Sequence, residues 1–398
     1  MPIDHSPRVV AEVRRIAAFV ATELIPREER ALACFDDTLR LDLQVLARSA
    51  GLWAPQLSPE LGGQGFSFSE SAALFEEAGT SLLGPLALGI AAPDEGNCHL
   101  LDRVATSDQR ARYLLPLAAG RVRSCFAMTE PAPGVGSDPR EVRTRATKVS
   151  GGWSITGDKH FITGADGAAF AIVMAATGDG PGDGVTMFLV DIPAVGFTVT
   201  GHYATLDVAM VGGHGTIELR DCLVPDDAVL GAVGEGFRYA QIRLAPARLT
   251  HCMRWLGAAR RAHELAVDRA VDRELFGRRL ASHGMAQALI ADNEIDLHAA
   301  RALLAQAAWD VEQDHEPLEA SSRCKVFVSE AVGRVVDRSV QLLGGLGTVT
   351  AGHPAAVVAQ TYADVRAFRI YDGASEVHRM SIAKRAAARA QVRIGAVA

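Results

Sequence analysis

Trp153-Ser-Ile-Thr-Gly-Asp-Lys-His-Phe-Ile-Thr-Gly-Ala-Asp-Gly-Ala-Ala-Phe-Ala-Ile-Val-Met-Ala-Ala176 is the stretch on which the fold turns. Its β-branched and aromatic residues come in short runs, Trp153-Ser-Ile-Thr156 and Phe170-Ala-Ile-Val-Met174, separated by Gly and Asp. Such runs suit strands and are too short for helices. The texture continues through Val185-Thr-Met-Phe-Leu-Val190, Phe197-Thr-Val199 and Thr216-Ile-Glu-Leu219. An all-β domain over residues 123–235 follows, with strands of four to six residues.

On either side the period changes from two to 3.6. Upstream, Val13, Ile16, Ala17, Val20 and Leu24 share one face of a helix that Pro26 should end, and a second helix is expected over 36–50 with others near 69–79 and 107–119. Downstream, helices are predicted over 237–273, 283–313, 317–345, 354–369 and 375–392, long enough and closely enough joined for a bundle. The fold class is therefore α+β multidomain: an N-terminal helical domain (1–122), a middle β-barrel or sandwich domain (123–235) and a C-terminal four-helix-bundle domain (236–398). Nothing alternates as a parallel sheet requires.

Composition excludes several classes. The chain has 398 residues, 48% hydrophobic and 22% charged, with net charge −7. Split at residue 235, the charges are 18 basic against 30 acidic and then 22 against 17, so the second part is positive and the first strongly negative. Ten Arg lie between Arg238 and Arg279, a cluster suited to a phosphorylated small molecule rather than to nucleic acid. The six Cys show neither metal nor disulfide spacing, so no metal is expected, and a reducing, cytoplasmic compartment is. The N-terminus lacks the pattern of a signal peptide, and the uncharged stretch 339–363 holds too many Gly and polar residues for a membrane span. No G-x-G-x-x-G, Walker A, G-x-S-x-G or H-E-x-x-H occurs.

Three segments look too specific for scaffolding: Phe126-Ala-Met-Thr-Glu-Pro-Ala-Pro-Gly-Val-Gly-Ser-Asp138, Asp158-Lys-His-Phe-Ile-Thr-Gly-Ala165, and Arg369-Ile-Tyr-Asp-Gly-Ala-Ser-Glu-Val-His-Arg-Met-Ser-Ile-Ala-Lys384. The first offers amides and hydroxyls to a flat heteroaromatic ring and to phosphate oxygens. The third places a lone carboxylate, Asp372, in an Asp-Gly turn between helices.

Together with Arg273-Glu-Leu-Phe-Gly277 and Gln341-Leu-Leu-Gly-Gly-Leu-Gly347, and in this order, these segments resemble the acyl-CoA dehydrogenase family over nearly the whole chain. The resemblance implies FAD as cofactor and an acyl-CoA thioester as substrate, oxidised to the trans-2-enoyl-CoA. Met128 and Thr129 would hold the flavin ring, Ser137 would face the pyrophosphate or CoA, and Ile162 and Thr163 would lie near flavin N5. Phe161 stands where many members carry Trp. Arg273, Phe276, Gln341 and Gly345 match residues that reach the FAD of a neighbouring subunit, implying a homotetramer or homodimer, and Ala374 and Glu376 also fall on the cofactor side. Arg248 matches the CoA-side arginine, with Gly373 beside the substrate.

Asp372 matches the catalytic base, most often Glu, that removes the α-proton while a hydride leaves the β-carbon for the flavin. Ala247 occupies the position from which some members supply the base instead, so Asp372 stands alone, and His251-Cys-Met-Arg254 fits a branch with Asp at this place. An electron-transfer flavoprotein is the implied acceptor. The alternative is a same-fold flavin oxidase or monooxygenase, nitroalkane-oxidase-like or acting on a carrier-bound acyl group. A non-catalytic scaffold is a third reading.

Overall fold

The structure is a computed structural model that describes residues 6–32, 34–136, 138, 141–180 and 184–395. In chain order the main elements are α1 (Pro7–Phe19), α2 (Asp37–Ser49), α3 (Phe68–Ala78), α4 (Asp94–Val104), β1 (Ser124–Ala127), β2 (Arg145–Val149), β3 (Gly152–Thr163), β4 (Phe170–Ala176), β5 (Val185–Asp191), β6 (Phe197–His202) and β7 (His214–Pro225). Then come α5 (Gly236–Asp272), a two-stranded hairpin of β8 (Glu274–Leu275) and β9 (Arg278–Arg279), α6 (Gly284–Glu312), α7 (Pro317–Leu343), α8 (Ala356–Phe368) and α9 (Ser375–Gly395).

The chain folds into two compact units that interleave along the sequence. One comprises Met1–Ala33, Phe66–Pro85 and Arg248–Ala398; the other comprises Cys34–Gly65 and Leu86–Ala247. The passage at residues 247 and 248 falls inside α5, two residues after Pro246, whose ring nitrogen has no proton for a helix hydrogen bond.

In the first unit α1 and α3 start where short polar side chains accept the first free amides: Ser6 from Val9, and Ser67 from Glu70 in a reciprocal capping box. α3 and α5 approach backbone to backbone, because Gly79 and Gly257 leave no room for a side chain. A Cβ on Gly79 would sit 2.2 Å from the Arg254 carbonyl oxygen, and one on Gly257 would sit 1.9 Å from that of Glu76. Around this contact Arg301 chelates Glu76, Arg260 pairs with Glu77 at 2.6 Å and Arg261 with Glu28 at 2.7 Å. Part of the basic cluster is thus structural. The core is mostly aliphatic, with Ile16, Leu24, Leu74, Leu249, Val328 and Val332 fully buried or nearly so beside Phe75 and Phe368.

In the second unit seven strands form one sheet in the order β1-β4-β2-β3-β7-β6, with β5 on β4. β4 is buried on both faces, and β5 along all but its last residue, as their unbroken apolar runs require. Hydrophobic clusters lie on the two sides, one around Phe170, Ile172, Met174, Leu100 and Leu114, the other around Ile155, Val173, Phe188, Val190 and Leu219.

Several local expectations differ. The first helix does not run regularly to Leu24: α-geometry ends at Phe19 and widens into a π-turn, Val20–Leu24, before Ile25–Arg27 tightens into a 3-10 turn. Pro26 cannot donate to the carbonyl four residues back, and the wider turn precedes it. β3 and β7 each extend to 12 residues, since Gly157 marks a register shift within the ladder rather than a strand end. β2, mostly exposed, and α4, with Gly96 inside it, had no strong periodicity to announce them.

Candidate active site

The candidate catalytic carboxylate belongs to the first unit. α8 ends at Phe368, and Tyr371-Asp-Gly373 turns the chain into α9 with Asp372 at φ 55° and Gly373 at φ 97°. Gly373 is obligatory here: the φ suits glycine, and a Cβ would lie 2.6 Å from His378 Nε2. The turn's carbonyls are held from three helices. Arg248 Nε on α5 donates to the Asp372 oxygen at 3.0 Å, and His378 Nε2 on α9 donates to the same oxygen at 3.1 Å. Lys325 Nζ on α7 donates to the Gly373 oxygen at 2.9 Å. Because the Asp372 carbonyl can only accept, the ring proton of His378 sits on Nε2, and Nδ1 faces the Ser322 hydroxyl at 3.1 Å.

The Asp372 side chain is 20% exposed, and His251 Nε2 lies 3.4 Å from its Oδ2. His251 Nδ1 faces Arg254 Nη2 at 3.0 Å and the Tyr371 hydroxyl at 3.4 Å, and Trp255 Nε1 donates to that hydroxyl at 2.6 Å. The neighbourhood favours negative charge on the turn. Burial pushes the Lys325 ammonium down to about 8, although Asp372 works against that, so it remains cationic at neutral pH. Burial, and then the charge of Arg248, push His378 down to about 4, so it is a neutral donor. Arg248 is shifted down by burial while Asp372 opposes the shift.

A second cluster, in the other unit, gathers the two remaining motifs. β1 delivers Met128 and Thr129, and β3 delivers residues 159–163. Lys159 Nζ is fully buried against Glu130 Oε1 at 2.7 Å and also donates to the carbonyls of Met128 at 3.1 Å and Met174 at 2.7 Å. Burial lowers Lys159 to about 8 against the pull of Glu130. The Glu130 carboxylate also accepts the amides of Arg143 at 2.7 Å and Thr144 at 3.0 Å, so one ion pair ties Met128 to the residues that enter β2. The Thr129 carbonyl accepts from the His160 amide at 3.0 Å, whereas its own amide and hydroxyl have no partner among the described residues.

A register shift between Lys159 and Ile162 coincides with φ 52° at Phe161, whose half-exposed ring stacks on Tyr203 at 4.2 Å. Ile162 is buried, and the Thr163 hydroxyl lies 2.9 Å from His214 Nδ1. His214 Nε2 is 2.9 Å from Asp207 Oδ2. Burial alone would raise Asp207, but the hydrogen bond and charge of His214 hold it below its ordinary value. Arg123 clamps the next turn, reaching the carbonyls of Gly164 at 3.0 Å and Asp166 at 2.5 Å and chelating Asp37.

The other expected site residues fall as follows. Ser137 lies outside the described residues. Arg273 precedes the β8–β9 hairpin, exposed and without an ion pair among the described residues; Phe276 at its tip has φ 49° and is 96% exposed. Gln341 and Gly345 are exposed at the end of α7, and Ala374 and Glu376 open α9 beside the Asp-Gly turn. These groups suit a dinucleotide in kind: an open amide and hydroxyl for a heteroaromatic ring, an uncommitted guanidinium for phosphate, and glycines that admit close approach.

Sequence reading missed Glu130, Lys159, Asp207, His214, Lys325 and His378 as site-building residues. Glu130, Lys159 and His378 stood inside the quoted motifs, but nothing in the sequence told which carbonyls they hold. Among the described residues no cluster of His, Cys, Asp or Glu can hold a metal ion, and no helix is long and apolar enough to cross a membrane.

The β scaffold that carries two of the motifs and the helices that carry Asp372 fall within three consecutive matches to one known family. Residues 10–121 match the acyl-CoA dehydrogenase N-terminal domain, 125–222 the middle domain and 234–387 the C-terminal domain. The chain belongs to the acyl-CoA dehydrogenase family and is an enzyme of that type. FadE2 of Mycobacterium tuberculosis, named as an acyl-CoA dehydrogenase, is 37% identical over 350 residues, covering 86% of this chain and 84% of that protein. (R)-benzylsuccinyl-CoA dehydrogenase of Thauera aromatica is 32% identical over 96% of both chains. A structure described as an acyl-CoA dehydrogenase from Mycobacterium abscessus superposes with TM-score 0.89 at 32% identity, covering 97% of this chain and all of that one. Butyryl-CoA dehydrogenase of Megasphaera elsdenii, at 24% identity and TM-score 0.86 over 97% and 99% of the chains, shares the fold.

Proposed function

We propose that this enzyme removes two hydrogens from Cα and Cβ of an acyl-CoA thioester, with Asp372 taking the α-proton. FAD, when bound, accepts the hydride equivalent that leaves Cβ. The reading rests above all on one observation: the Asp372 carboxylate sits on a turn whose two carbonyls are gripped by Arg248, His378 and Lys325. A base one methylene shorter than Glu loses about 1 Å of reach, and a misplacement of that size costs about 100-fold in rate, so a rigid turn is what the chemistry demands. Asp in this role marks a branch distinct from the Glu-bearing members.

Met128, Thr129, Phe161, Ile162 and Thr163 would hold the flavin ring, with Thr129 offering its open amide and hydroxyl. Arg273, Phe276, Gln341 and Gly345 reach the FAD of a second copy in a homodimer or homotetramer, and Ala374 and Glu376 lie on the cofactor side. Arg248 and Gly373 would face the thioester and CoA side. Electrons then pass to an electron-transfer flavoprotein. Purified protein should carry a yellow flavin spectrum that bleaches anaerobically on addition of acyl-CoA, with release of the enoyl-CoA. Protein that binds no FAD overturns the reading, and peroxide release without an added acceptor moves it to an oxidase.

A further inference from the structure

We propose that His251, locked by Arg254 as the tautomer protonated on Nε2, is the positioning residue that aims the Asp372 carboxylate. The inference rests on the reading of Asp372 as base. α5 places Arg248, His251 and Arg254 at three-residue intervals, all three buried, so they form one row facing the turn. An Arg guanidinium has donors only. With Arg254 Nη2 at 3.0 Å, His251 Nδ1 must accept, so the ring proton resides on Nε2. That nitrogen faces Asp372 Oδ2 at 3.4 Å.

The bonds from Arg248, His378 and Lys325 end on backbone oxygens; they fix where the residue is but leave its side-chain torsions open. His251 supplies a donor to the carboxylate itself. The ring is in turn braced by Tyr371, whose hydroxyl is held by Trp255. A short base on a stiff turn thus gains its aim from a ring whose proton is assigned by a neighbour. The charged and titratable groups around Asp372 are Arg248, His251, Arg254 and Trp255-anchored Tyr371, Lys325 from α7, and His378 from α9.

The test uses the full-length, FAD-loaded enzyme with His251→Leu, His251→Gln and Asp372→Asn made in parallel. His251→Leu is expected to lower kcat by about 100-fold with KM within about threefold, the pattern of an interaction that matters in the transition state. Without the donor, the acid limb of the pH profile of kcat/KM moves to higher pH, because the ionised carboxylate loses a hydrogen bond. Gln, which restores an N–H donor of similar reach, should recover at least about tenfold of the loss and return the limb toward its place. Independently, nitrogen NMR of the wild-type ring should find the proton on Nε2. Wild-type kcat and acid limb in His251→Leu, a Gln variant as impaired as Leu, or a proton on Nδ1 overturns the proposal. Should the Leu variant not fold, the Gln variant and the tautomer decide it. Wild-type turnover in Asp372→Asn would instead remove the base reading on which the proposal stands.

Discussion

Replacing Gly373 by Ala perturbs the candidate base without touching its carboxylate. The backbone there has φ 97°, which costs an L-residue about 1–3 kcal/mol. The added Cβ would stand 2.6 Å from His378 Nε2, and carbon and nitrogen pack at about 3.5 Å, so ring or turn must yield by about 1 Å. Either movement breaks the 3.1 Å bond from His378 to the Asp372 carbonyl, worth about 1 kcal/mol. The variant should therefore lose about 2–4 kcal/mol of stability in the unit that holds the turn, read as a lower urea midpoint at constant slope. A shift of about 1 Å at the base lowers the rate of anaerobic flavin bleaching by about 100-fold. The His378→Ala companion makes space for the methyl group but also removes the donor, so it should relieve the clash without restoring the rate. Gly373→Ala with wild-type midpoint and wild-type bleaching rate would refute the view that this turn sets the position of the base.

Other expectations follow from the buried charges. His378 and His99 are both pushed down to about 4, chiefly by burial, so the folded enzyme keeps them neutral while the unfolded chain protonates them near pH 6.5. Their contribution is present above pH 6.5 and is lost as pH falls toward 4, on the order of 3 kcal/mol for each; a urea midpoint that does not fall across that range contradicts it. Lys159→Met strands Glu130 in the core and should cost about 3–5 kcal/mol together with FAD affinity, measured by flavin retention on dilution. Retained flavin at unchanged stability would show that the ion pair does not tie Met128 to the residues that enter β2.

Much of this architecture was legible because its signals are local. Short apolar runs such as Phe170–Ala176, bounded by Gly and Asp, read as buried strand, and α7 follows its predicted span within two residues at the C-terminal end. The Asp-Gly turn was legible for the same reason: φ above zero at Gly373 is a property of two adjacent residues. What escaped reading is long-range. Lys325 lies 48 positions before the carbonyl it holds, and Lys159 lies 29 after the carboxylate it pairs with. No periodicity links such positions, and a buried Lys in an apolar strand or helix looks like any other interruption. The basic cluster shows the converse limit. Arg260 and Arg261 are committed to Glu77 and Glu28, Arg248 and Arg254 serve the carboxylate turn, and charge counting treats all four alike.

Stopped-flow bleaching of the Asp372→Asn enzyme under anaerobic conditions reads out whether Asp372 removes the proton from the substrate. Asn keeps the side chain's size and the turn's preference for positive φ while removing the basic oxygen. The variant should be folded, flavin-loaded and able to bind acyl-CoA, yet bleach about 100- to 10,000-fold more slowly than wild type. Bleaching at the wild-type rate would place the base elsewhere.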